Sequence, residues 1–104
     1  MTVNYTRIGV VGAGAMGRGI AQIAAQAGSE VLLLDSFEGA AARGRDAIVA
    51  QWNKLHEKGR IDEATRGAQI ARVQIAESAQ ALAGCDLVIE AVVENLEVKR
   101  KLFA

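Results

Sequence analysis

The chain has 104 residues, with no proline, one cysteine and 11 glycines, which is room for one small domain. Twelve basic and twelve acidic residues cancel. That excludes the positive field of a general nucleic-acid binder, and Lys99-Arg100-Lys101 is too short a cluster to restore one. The lone Cys85 excludes an internal disulfide, no Cys/His cluster has zinc spacing, and a reducing, cytoplasmic setting is expected.

Short β runs alternate with helical stretches. Residues 7–12 read as a first strand. Over 8–17 the chain is apolar but rich in glycine and preceded by one cation, so it makes a poor signal-peptide core. It is also far shorter than the ~20 residues of a membrane span, and no membrane partner is expected. Residues 15–27 show helical spacing, with Met16, Ile20, Ile23 and Ala27 at steps of three and four and Gly28 as the stop. Val31-Leu32-Leu33-Leu34 is apolar throughout, as in a parallel strand covered on both faces.

Residues 38–58 predict a long helix buried through Ala41, Ile48, Trp52 and Leu55 and ended by Gly59. Asp62 caps a shorter helix reaching about Ile70, and the two make an antiparallel hairpin. Val73 and Ile75 alternate with polar neighbours in a less buried strand. Residues 78–83 form a turn or short helix closed by Gly84, and residues 86–91 another strand. Asn95 is expected to cap a final helix still running at Ala104.

This series predicts an α/β fold with a parallel, Rossmann-type sheet in the order 3-2-1-4, the first strands of a larger sheet, and a helical hairpin between strands two and three. In that order the fourth strand exposes Leu87, Val88 and Ile89 along an unpaired edge. Self-association through that strand or its neighbouring helix is expected.

The strongest chemical signal is Gly12-Ala13-Gly14-Ala15-Met16-Gly17, between a strand and a helix, with Asp35 closing the next strand 21 residues after Gly14. This is the dinucleotide fingerprint. Gly12 permits the tight turn, Gly14 lets a pyrophosphate approach the backbone, and Gly17 lets the helix pack on the strand. The free N–H groups at the helix start, Ala15 and Met16 among them, hold the diphosphate. Asp35 accepts from the ribose hydroxyls and repels a 2′-phosphate, and Ser36 offers no cation to reverse this, so NAD is expected over NADP. Gly19 is read as a close-packing position, His56 as an exposed helix residue and Cys85 as a small packed one.

The run Val88-Ile89-Glu90-Ala91-Val92-Val93-Glu94-Asn95-Leu96-Glu97-Val98-Lys99, taken with the glycine loop and residues 31–35, resembles the NAD-binding domain of L-3-hydroxyacyl-CoA dehydrogenases. The likeness extends over essentially all 104 residues, hairpin included. It implies an oxidoreductase of fatty-acid metabolism. It also implies that Glu94 and Lys99 lie near the nicotinamide end of the cofactor and that Lys58 contacts the CoA part of the substrate. Gln51 lies where the family can carry a second CoA contact. The family's catalytic serine, histidine, glutamate and asparagine, and its dimer-forming helical domain, correspond to nothing in residues 1–104. The expectation is therefore an incomplete NAD-binding domain, inactive alone, from a homodimeric parent. Two alternatives stay open here: a related L-gulonate or β-hydroxyacid dehydrogenase, and a non-catalytic NAD-sensing module.

Overall fold

The computed structural model describes residues 6–91 together with the backbone of Leu96–Arg100. In chain order the elements are β1 (Arg7–Val11), α1 (Ala15–Gln26), β2 (Glu30–Leu34), α2 (Ala40–Glu57), α3 (Glu63–Arg72), β3 (Val73–Ile75), a 3-10 segment (Ala79–Gly84), β4 (Leu87–Ala91) and β5 (Leu96–Arg100). They form one sheet in the order β3-β2-β1-β4-β5. The first four strands are mutually parallel, and Val10 lies opposite Leu33 on one side and Ile89 on the other. The expected 3-2-1-4 order holds.

Strand alternation builds two half-cores. Ile8, Val10, Val31, Leu33 and Val73 face the three helices and meet Ala21, Ala25, Ala41, Ile48 and Trp52. Their alternates Val11, Leu32, Leu34 and Val88 pack on Ala76, Leu82 and Cys85 behind the sheet. Parallel strands covered on both faces need this near-continuous apolar sequence. Cys85 is a packed residue there, 1% exposed.

Both predicted helix stops form. After α1, the Gly28 and Ser29 N–H groups donate to the Ala25 and Ala24 carbonyls. After α2, Gly59 and Arg60 do the same to His56 and Leu55. Each is a Schellman turn closing on a glycine. Asp62 caps α3 by accepting from the Thr65 N–H at 2.7 Å. The hairpin is laced to its surroundings by arginines. Arg45 donates to the carbonyls of Val73 (2.7 Å) and Ile70 (3.2 Å). Arg72 reaches the Ala25 carbonyl at the end of α1, 2.8 Å away.

The predicted helix over 15–27 forms as α1; its buried face is Gly17, Ala21 and Ala25, and of the Met16, Ile20, Ile23 and Ala27 row only Ile20 packs against the core. Met16 is 45% and Ile23 68% exposed, and Ala27 is exposed too. Where the helix lies against its sheet there is room only for small side chains, so Met16 and Ile23 turn outward and Ile20 packs at the margin of the core. The predicted final helix is wrong. Leu96–Arg100 is a strand, antiparallel to β4 from Leu87↔Arg100 to Ala91↔Leu96. Leu96 and Val98 alternate with Glu97 and Lys99, the period-two pattern of a strand. Pairing there satisfies the outer backbone groups of β4 that would otherwise lie open. The edge expected to drive self-association is therefore occupied by the chain itself.

Candidate functional site

The site begins where β1 ends. The Gly12 N–H donates to the Leu34 carbonyl at 2.7 Å, extending the β1–β2 ladder by one residue. Gly12 then turns with φ +106°, and a Cβ there would overlap the Ala91 carbonyl oxygen. A Cβ on Gly17 would overlap the carbonyl oxygen of Gly12. These two glycines let α1 start directly against the strand.

Gly14 differs: a Cβ there would meet nothing within 4 Å. It is the N-cap of α1, in extended conformation, with no side-chain cap and no acidic residue in the first turn. The first helical hydrogen bond runs from the Arg18 N–H to the Gly14 carbonyl at 2.9 Å. The N–H groups of Ala15, Met16 and Gly17 precede it and have no acceptor within the helix. Gly14, Ala15 and Met16 are exposed. Free donors, the positive end of the helix dipole and an open approach at Gly14 together make an anion cradle that fits a diphosphate.

Asp35 stands beside this loop at the end of β2, half-buried. Its Oδ2 accepts from the Ala13 N–H at 2.7 Å and its Oδ1 from the Phe37 N–H at 2.9 Å. A carboxylate offers about four lone-pair sites, so two remain for ribose hydroxyls. The bond to Ala13 is a structural task that the spacing alone did not reveal.

Two further residues escaped the sequence reading. Gly44 lets α2 cross the glycine loop, since a Cβ there would stand 2.9 Å from the Ala13 Cβ and 3.1 Å from its carbonyl oxygen. It sits between Ala41 and Ile48 in the buried row of α2, and its small size hid it. Arg43 folds back over Gly39, its Nη1 2.9 Å from where a Gly39 Cβ would be. It enters none of the ion pairs among the described residues. The segment after Asp35 thus carries a cation after all, and the charge argument against a 2′-phosphate rests on the Asp35 carboxylate alone. Gly19, read as a close-packing position, has open space where a Cβ would stand.

Lys58 lies apart from the loop, exposed at the C-cap of α2, with Lys54 one turn before it and Arg60 just after. Gln51 is exposed two turns earlier on α2. His56 Nε2 is 3.5 Å from Glu63, which also binds Arg66 at 2.7 Å. Glu94 lies outside the described residues. Lys99 is placed by backbone only, opposite Val88.

A doubly wound sheet, a glycine loop opening a helix at its carboxyl edge, and an acidic residue ending the second strand define a dinucleotide-binding domain. The comparisons make this specific. The chain belongs to the family described as 3-hydroxyacyl-CoA dehydrogenase, NAD binding domain, which matches residues 7–104. Its cofactor is NAD. The chain is 43% identical over 97 residues to a probable 3-hydroxybutyryl-CoA dehydrogenase of Deinococcus radiodurans, covering 93% of this chain and 34% of that protein. It is 41% identical over 104 residues to the 3-hydroxyadipyl-CoA dehydrogenase of Escherichia coli, covering all of this chain and 22% of that protein. The crystal structure of (S)-3-hydroxybutyryl-CoA dehydrogenase from Ralstonia eutropha superposes with a TM-score of 0.81 at 35% identity, over 88% of this chain and 32% of that one. The chain thus spans about a third or less of the length of these relatives. Among the described residues no helix is long and apolar enough to cross a membrane.

Proposed function

We propose that the chain is the cofactor-holding domain of a cytoplasmic, homodimeric enzyme that oxidises an L-3-hydroxyacyl-CoA to the 3-oxoacyl-CoA in fatty-acid metabolism. The observation that carries this reading is the double engagement of Asp35. One carboxylate fixes the glycine loop through Ala13 and keeps lone pairs for the adenosine ribose. The relatives named for 3-hydroxybutyryl-CoA and 3-hydroxyadipyl-CoA supply the substrate class.

Gly12 and Gly17 shape the turn. The backbone at Gly14, Ala15 and Met16 holds the diphosphate, and Asp35 holds the ribose. Glu94 and Lys99 act toward the nicotinamide end. Lys58, flanked by Lys54 and Arg60, meets the phosphates of CoA. When bound, NAD supplies the carbon that accepts hydride. The one histidine, His56, lies 3.5 Å from Glu63 on the hairpin, and among the described residues none is assigned the hydroxyl proton.

The test is a comparison of ligands and of turnover. The purified chain should bind ADP-ribose within about tenfold of NAD, a gap below ~1.4 kcal/mol, and should form no NADH from L-3-hydroxybutyryl-CoA. The complete protein carrying this domain should form NADH from that substrate. A complete protein that binds NAD and turns over no 3-hydroxyacyl-CoA would overturn the proposal.

A further inference from the structure

We propose that Phe37 is the stacking platform for the adenine base of the cofactor, an inference that rests on Asp35 holding the adenosine ribose. Phe37 is the most exposed of the large hydrophobic residues described, at 75%, while the other described aromatic, Trp52, is fully buried. A single exposed apolar side chain is ordinary on a protein surface. Phe37 differs in how its main chain is held. Its N–H donates to Asp35 Oδ1 at 2.9 Å, so the ring is carried two residues from the carboxylate on a backbone tied to that carboxylate. The Ala40 N–H then closes the turn onto the Phe37 carbonyl at 3.1 Å.

The base is joined to the ribose carbon next to the one bearing the 2′-hydroxyl. A hydroxyl hydrogen-bonded to Asp35 therefore brings the adenine within reach of the next few residues. Among Ser36, Phe37, Glu38 and Gly39, all exposed, only Phe37 offers an apolar face. A purine stacked on a phenyl ring gains sequence-tolerant contact energy, and the ring loses its exposure to water.

The experiment titrates the purified chain with NAD and ADP-ribose, comparing wild type with Phe37→Ala, Phe37→Tyr and Asp35→Ala. Phe37→Ala should weaken NAD and ADP-ribose alike, by about tenfold, with the melting temperature unchanged because the ring makes no core contact. Phe37→Tyr should bind as wild type does. Wild-type affinity in Phe37→Ala, with Asp35→Ala weakened, would overturn the stacking role and leave the ribose role standing. Wild-type affinity in both variants would overturn the two together.

Discussion

In the loop joining β1 to α1, backbone meets backbone. Gly17 sits where any side chain would overlap the Gly12 carbonyl, and Gly12 sits where one would overlap Ala91. In the α2–α3 hairpin, long side chains span the gaps instead. Trp52 fills the interior, Arg45 and Arg72 reach carbonyls of neighbouring elements, and Arg66 joins Asn53 at 2.7 Å. The loop therefore tolerates no added atom at its two turning points. The hairpin is a sum of separate contacts, each removable at its own cost. A site that must present N–H groups at fixed positions benefits from the first kind of construction, and a wall against a long, flexible substrate can be built the second way.

The largest effect that tests this contrast is Trp52→Ala. Removing a fully buried indole should cost about 3–5 kcal/mol of stability by denaturant unfolding. Trp52→Phe should be far milder, because the buried Nε1 has no hydrogen-bond partner among the described residues to lose. In the loop, one carbon should do comparable damage. Gly17→Ala is expected to cost about 3 kcal/mol, the upper end of ordinary overpacking, since the obstacle is backbone and not a movable side chain. Gly14→Ala should leave stability nearly unchanged and weaken NAD binding, its Cβ entering the open approach. Equal stability losses at Gly14 and Gly17 would erase the distinction between turning point and cradle.

Asp35 lies between the two modes, a side chain serving the backbone loop. Asp35→Ala should weaken NAD by about 1.5–3 kcal/mol, the range for hydrogen bonds to a charged group. NADP should lose much less, because the repulsion of its 2′-phosphate is removed. Calorimetric titration with both dinucleotides decides this, and equal losses would remove Asp35 from the ribose.

Much of this architecture is legible in the sequence, for reasons that differ by residue. Gly28, Gly59 and Asp62 act through local geometry, so their positions declare the helix ends. The glycine loop and Asp35 are legible because the fold class dictates their spacing. The buried face of α1 was not legible because Gly17, Ala21 and Ala25 carry little hydropathy contrast, whereas Met16 and Ile23 carry much. β5 was misread because Asn95 reads as a helix cap, whereas Leu96, Glu97, Val98 and Lys99 alternate with the period of a strand and pair with the open edge of β4. Arg43 was invisible because its return over Gly39 depends on the left-handed turn at that glycine, φ +78°. Lys58, Glu94 and Lys99 come from resemblance alone; no local pattern marks them.

The smallest expected effect is a pH dependence confined to the hairpin. Hydrogen bonds from Thr65, side chain first and backbone second, hold the Asp62 carboxyl below its ordinary range, with a smaller pull from His56. Arg66, by hydrogen bonding and then by charge, does the same for Glu63. A carboxyl whose pKa is lower folded than unfolded contributes stability fully present above the unfolded value. That contribution is lost as pH falls through the folded one. The hairpin should therefore weaken below about pH 4, where free carboxyls take up protons. Both groups are exposed, so salt screens the charged part of the effect. Asp62→Asn separates the two roles of the residue: the amide oxygen still accepts from the Thr65 N–H as an N-cap but does not titrate. Urea melts should then show wild type losing more stability than Asp62→Asn between about pH 5 and pH 3. Parallel losses in the two proteins would mean that the Thr65 hydrogen bonds do not favour the charged form of Asp62, which would then act at the start of α3 only as an N-cap acceptor.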